Sequence, residues 1–322
     1  MSYLLAAGGL LLLGLGKKYF NGGVCKITKD LTDKVIVITG ASSGLGRETA
    51  KILASMKGKI VLACRNEEKT MPIIRQMQEE SSNKHIYFMK LDLEDLESIR
   101  NFAETFKKKF DKIDILINNA GLACSQNIRE TNKEGFEKTF MTNYLGHFYL
   151  THLLLDCLKA APNARIISVS SLIYIQGELK WDDLNYEKRF NRIQAYSDAK
   201  MAQIMFSKEF DRRFKSTGIK AVSLHPGVVR TEPNHDYLGK SLPGKIIAKL
   251  LYPIWWYFTK SPNQGVQTIL YCALLDYDQL KAGEYYGDCQ VIKVTNRFIN
   301  PENNKKLWDI SVELLKSKGC EL

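Results

Sequence analysis

The stretch KVIVITGASSGLG, Lys34 to Gly46, decides the fold. Its first half is a short β-branched run without polar alternation, the composition of a strand covered on both faces. Its second half places Gly40, Gly44 and Gly46 in a tight turn, and a helix-like stretch from Arg47 to Lys57 follows at once. A glycine turn lets a phosphate approach the N–H groups of a helix N-terminus, where the dipole favours an anion. Three glycines alone describe an ordinary loop. Between a strand and a helix they point to a bound dinucleotide.

Outward from this stretch, KIVLACR, IYFMKLDL, IDILINNAG, RIISVSS and KAVSLHPG repeat the strand pattern, with charged helix-length segments among them. Glu284 to Val294 supplies a last strand. Continuous apolar strands alternating with helices predict a doubly wound, Rossmann-type α/β fold with a parallel sheet and helices on both faces. No repeat, low-complexity tract or linker interrupts residues 33–300, so a single domain is expected.

An acidic residue at the end of the second strand would bind a ribose 2′-hydroxyl. Here Cys64-Arg65-Asn66 stands at that place, and Arg47 follows the third glycine. A guanidinium suits a 2′-phosphate, so NADP(H) is preferred over NAD(H). The plain alternative is that Arg65 is a solvated strand-end residue.

The 322 residues are 45% hydrophobic and 25% charged, which excludes a disordered chain. A formal charge of +11 suits a phosphorylated cofactor, an anionic membrane or nucleic acid. The lysines are scattered, and no basic motif or aromatic platform supports a nucleic-acid partner. Seven cysteines without a Cys-x-x-Cys pair and five histidines without ligand spacing give no expectation of a disulfide framework or a metal site.

Residues 1–18 read as a membrane anchor. Tyr3 to Gly16 is uncharged and runs into Lys17 and Lys18, which would hold the following domain on the cytosolic side. Fourteen helical residues reach only about 21 Å, short of a bilayer core. A cleaved signal peptide competes with the anchor, but no positive region precedes the apolar run.

In AYSDAK, Tyr196 and Lys200 stand four apart and so share one helix face. That spacing alone is common. With TGASSGLG, NNAG at Asn118 to Gly121, the pair Ser170-Ser171, YSDAK and HPGVVRT in this order, however, the chain resembles the short-chain dehydrogenase/reductase family over about residues 33–315. LACRN, LDLEDLESIR, NYLGHFYLTHLLL, WDDLN, QTILYCALL, GDCQV and LWDIS are similar to its retinol dehydrogenase branch. The glycine turn departs modestly, with ASSGLG where the branch usually has an Asn-Thr pair and Leu45 where isoleucine is common.

The resemblance implies that Tyr196 is the general acid or base, and that Lys200 lowers its pKa and binds the nicotinamide ribose. It implies that Ser171, rather than Ser170, orients the substrate oxygen, and that Asn143 supports a water relay to the lysine. For the cofactor it implies Gly40, Ser42, Ser43, Gly44, Leu45, Gly46 and Arg47 around the first turn, and Arg65, Asp92 and Leu93 beyond it. Asn118, Ala120 and Gly121 would follow at the fourth strand, then Pro226, Gly227, Val229 and Thr231, with Tyr196 and Lys200 themselves.

The implied activity is NADP(H)-dependent interconversion of a lipophilic alcohol with its aldehyde or ketone, a retinoid, sterol or fatty aldehyde. The alternative is a cofactor-binding structural subunit of a membrane complex without turnover. The expected setting is an endoplasmic reticulum or mitochondrial membrane, with a homodimer or a membrane complex as the assembly. Residues of about 230–260 would cover the substrate. Within them LLYPIWWYF suits either a membrane interface or a buried helix or dimer contact.

Overall fold

The protein is described by a computed structural model over residues 16–18, 20–230, 252–253 and 255–322. β1 (Val35–Thr39) enters the glycine turn and α1 (Gly44–Ser55), followed by β2 (Lys59–Cys64), α2 (Glu67–Ser81), β3 (Ile86–Lys90), α3 (Leu96–Lys109) and β4 (Ile115–Asn118). A π-helical turn, Met141–Leu145, runs directly into α4 (Gly146–Leu153). Then come β5 (Arg165–Val169), α5 (Arg192–Phe214), β6 (Lys220–Leu224), α6 (Gln267–Leu274), β7 (Tyr285–Gly287), β8 (Gln290–Val291) and α7 (Pro301–Lys316).

The sheet order is β3-β2-β1-β4-β5-β6-β7-β8. Both faces are covered, which explains why the strands lack polar alternation: Val37, Leu116 and Ile166 enter one apolar layer, Ile36, Ile117 and Ile167 the other. β1 pairs with β2 on one side and β4 on the other, so the chain reverses there and opens a crevice at the carboxyl ends of the strands. The expected last strand differs from the prediction. Asp288 (φ 49°) and Cys289 (φ 60°) form a two-residue turn, and β8 folds back antiparallel on β7.

α7 packs across α5. The Trp308 ring stacks on Phe206 at 5.7 Å and meets Phe148 edge-on at 4.8 Å, and Arg213 pairs with Asp309 at 2.7 Å. No helix among the described residues is long and apolar enough to cross a membrane. Most of the expected anchor, residues 1–15, lies outside the described residues, as do residues 231–251 of the expected cover.

Candidate active site

The turn after β1 is bolted to the turn after β4. The Thr39 hydroxyl oxygen accepts the N–H groups of Asn119 and Ala120, each at 2.9 Å, and the Asn119 side-chain amide donates to the Thr39 carbonyl at 2.9 Å. Gly40 (φ +66°) closes onto the second turn so tightly that a Cβ there would stand 2.8 Å from the Ala120 Cα. A Cβ on Gly46 would lie 2.6 Å from Asn119 Nδ2 and 2.7 Å from the Gly40 carbonyl. α1 begins at Gly44 behind Ser43, whose side chain makes no capping bond, and its first turn carries no acid. The helix thus presents uncapped N–H groups and an unneutralised dipole, the arrangement an anion needs. Ser42 is half-buried and Ser43 exposed. Leu45 and Val229 both close on Gly265, where a Cβ would lie 2.8 Å and 2.5 Å from their methyl groups.

Along the crevice, Arg47 donates to Gln76 at 3.0 Å and Arg65 to Glu94 at 3.0 Å. The Asp92 carboxylate accepts the Glu94 N–H at 3.0 Å, and Leu93 is buried. Asn118 is buried at the end of β4; its amide donates to Thr151 at 3.4 Å, while its Oδ1 has no partner among the described residues. On the far side Gly227 (φ +83°) follows Pro226 and packs on Lys260, which pairs with Asp288 at 2.5 Å. Thr231 lies outside the described residues.

The candidate reacting end is built by four elements. Asn143 sits in the π-helical turn, a distortion often found at functional sites. Its side-chain amide accepts the Leu122 N–H and donates to the Leu122 carbonyl, both at 2.8 Å, pinning the loop beyond β4. Lys200 donates to the Val169 carbonyl at the end of β5 at 2.8 Å and to Gln203 at 3.3 Å. A Cβ on Gly121 would stand 3.2 Å from Lys200 Nζ and 3.3 Å from Asn143 Oδ1, so both side chains close on this glycine. Tyr196, half-buried, lies one turn before Lys200, with Nζ 5.7 Å from the centre of its ring. Burial lowers the Lys200 pKa to about 8.

The adjacent serines part company, as alternation along an extended chain requires. Ser170 turns inward and donates to the Lys200 carbonyl at 2.6 Å. Ser171 is half-exposed, and its hydroxyl accepts the Ile173 N–H at a long 3.4 Å. Asp198, inside YSDAK, accepts from Tyr186 at 2.6 Å and from the Glu178 N–H at 2.6 Å, fastening the 172–190 segment to α5.

Sequence reasoning missed Thr39, Asn119, His147 and Gln203. His147 Nδ1 lies 3.2 Å from the Asn143 carbonyl and must donate to it, so Nε2 accepts the Thr39 hydroxyl at 2.9 Å. Burial pushes its pKa down to about 3, keeping the ring neutral. A usable signal existed: His147 follows Asn143 by four and Gln203 follows Lys200 by three, each on a shared helix face.

At the mouth, Lys17 donates to the carbonyls of Trp256 (2.7 Å) and Thr259 (3.0 Å), and Arg230 to the same two at 2.9 and 2.6 Å. Phe20 packs edge-on against Phe258 at 4.8 Å. Tyr252, Trp255, Trp256 and Phe258 remain about half exposed.

A tight glycine cradle, an uncapped helix start, an orphaned Asn118 oxygen and a buried ammonium bonded only to neutral oxygens all fit a nicotinamide dinucleotide. Comparison with known proteins agrees. The short chain dehydrogenase family profile matches residues 34–240. The chain is 38% identical to retinol dehydrogenase 12 of Mus musculus over 93% of its own length and 92% of that protein's. It is also 38% identical to retinol dehydrogenase 13 of Homo sapiens, over 96% of this chain and 92% of the other. A solved protein of Mycobacterium paratuberculosis superposes with a TM-score of 0.71 at 29% identity, covering 90% of this chain and 96% of that one. L-sorbose reductase of Gluconobacter frateurii, solved with NADPH and L-sorbose, shares the fold at a TM-score of 0.66 and 22% identity, covering 80% of this chain and 96% of that one. These relatives do not favour a structural subunit without turnover. The chain belongs to the short-chain dehydrogenase/reductase family, in its retinol dehydrogenase-like branch, and is an oxidoreductase that interconverts alcohol and carbonyl groups with a nicotinamide cofactor.

Proposed function

We propose that the chain is a membrane-associated NADP(H)-dependent oxidoreductase acting on a lipophilic alcohol and its aldehyde or ketone, of the retinoid, sterol or fatty aldehyde class. One observation carries this reading: a buried ammonium, Lys200, on the same helix face as Tyr196, at the open end of the strands. The cofactor, when bound, supplies or accepts the hydride. Tyr196 gives the carbonyl oxygen its proton in reduction and takes it back in oxidation. The Lys200 charge favours the phenolate, Ser171 donates to the substrate oxygen, and Asn143 holds the loop beyond Gly121 in place. Residues 33–315 form the oxidoreductase domain, residues 1–18 the anchor, and about 230–260 the cover over the substrate.

Arg47 and Arg65 support NADP(H). The Arg65–Glu94 pair is exposed on the arginine side, and such pairs contribute only about 0–1 kcal/mol, so a 2′-phosphate can displace the carboxylate. Combining Arg47→Ala with Arg65→Asp is expected to cut the preference for NADPH over NADH about 100-fold. Steady-state kinetics with both cofactors checks this; an unchanged ratio assigns the preference elsewhere.

The half-exposed aromatic residues beside Lys17 and Arg230 support entry of an apolar substrate from a membrane interface. The names of the retinol dehydrogenase relatives support the retinoid class. The function is tested by incubating the purified protein with NADPH and a panel of retinoid, sterol and aliphatic carbonyl compounds. Turnover confined to apolar carbonyls is expected; equal rates with small polar carbonyls would refute the lipophilic assignment.

A further inference from the structure

Gln203 is buried on α5, one turn beyond Lys200. Its side-chain oxygen accepts a hydrogen bond from Lys200 Nζ at 3.3 Å, and its side-chain nitrogen donates to the main-chain carbonyl of Asn143 at 2.8 Å. Chemistry fixes this orientation, because an ammonium has only donors and a carbonyl only accepts.

We propose that Gln203 is a positioning residue of the active site, a two-ended strut that holds the Lys200 ammonium and the Asn143 backbone at a set separation. The inference rests on the Tyr196–Lys200 reading given above and extends it to a residue that touches neither substrate nor cofactor.

A purely structural role explains the residue less well. The Asn143 carbonyl already receives the His147 Nδ1–H at 3.2 Å, so it would not be orphaned without Gln203. Burying a primary amide is more costly than burying a leucine of similar size unless both ends of the amide are used. Both ends are used, and one end serves the buried Lys200 ammonium. The titratable groups facing Lys200 are Tyr196 on its own helix and His147 from α4, the latter kept neutral by burial. Among the described residues, β5, the π-helical turn and the β4 turn bring neutral groups: the Val169 carbonyl, the Asn143 amide and Gly121. In such surroundings one amide oxygen is a substantial part of what stabilises the charge.

The test is the titration of Lys200 itself, followed by lysine 15Nζ NMR in full-length protein, with its resonance identified by its disappearance in Lys200→Met. Gln203→Leu removes the acceptor and is expected to lower the titration midpoint by about one pH unit. Gln203→Glu places an anion at the same distance and is expected to raise it. Opposite shifts from two substitutions at one position are not what general loosening of the fold produces; loosening relieves burial and raises the midpoint in both, so the fall in Gln203→Leu is the deciding result and suffices if Gln203→Glu fails to fold. A midpoint unmoved by the variants that fold overturns the proposal. The pH profile of kcat/KM is measured alongside, and its alkaline limb is expected to follow the NMR midpoint. A midpoint that shifts while the kinetic profile stays put supports the strut and instead refutes the Tyr196–Lys200 reading beneath it.

Discussion

Replacing Tyr196 by phenylalanine is expected to lower carbonyl reduction about 10³- to 10⁴-fold while leaving cofactor affinity unchanged. The substitution removes one hydroxyl and keeps the ring. Tyr196 sits near the start of α5, where Asn191 caps the helix by accepting the N–H groups of Ile193 (2.9 Å) and Gln194 (3.1 Å). The helix therefore forms whether or not the phenol is present. Its glycine cradle lies on other elements, and phosphate binding should survive. NADPH consumption at saturating aldehyde and cofactor binding by fluorescence measure the two halves of the prediction. Equal turnover by the variant would remove Tyr196 from the chemistry.

Lys200→Met is expected to lower kcat/KM about 10²- to 10³-fold, because a fixed charge aimed at the reacting group is lost. The wild-type enzyme is expected to carry a pH signature of the same charge. Burial holds the lysine at about 8 rather than 10.5, so the ammonium is charged below that pH and neutral above it. Reduction should accordingly fall as pH rises through about 8, and this limb should be absent in Lys200→Met. Stability takes the opposite sign. Between pH 8 and 10.5 the unfolded chain holds the proton that the folded chain has released, so this group makes the fold more stable as pH rises. A rate that declines while the melting temperature attributable to this group does not is therefore expected. The comparison needs kcat/KM and thermal melting across the same buffers for both proteins. A wild-type profile flat to pH 10 would contradict the assignment.

Much of the architecture was legible because strands buried on both faces leave an unmistakable record: VIVIT and ILIN have no polar face to hide. The glycine turn was legible for a steric reason, since neither Gly40 nor Gly46 has room for a Cβ. Less could be read where partners are distant in sequence. Nothing local indicated that Arg65 would meet Glu94, or that Thr39 would reach across to His147. The two serines were ambiguous because alternation says only that they diverge, not which one faces the crevice. The Ser170 bond to the Lys200 carbonyl removes that residue from the opening. The π-helical turn at Asn143 has no compositional signature, and the hairpin after Tyr285 depends on positive φ at Asp288 and Cys289, residues that do not announce it as glycine would.

The packing of α7 on α5 also has a consequence for biosynthesis. Ribosomes deliver Trp308 only after the helix it shields, so until then Phe148, Phe206 and Phe210 present an oily surface to the cell. A premature stop ahead of Pro301 would leave that surface uncovered for good, an invitation to chaperones and proteases. Such a lesion would be met first as missing protein on a blot, long before anyone assayed a sluggish enzyme.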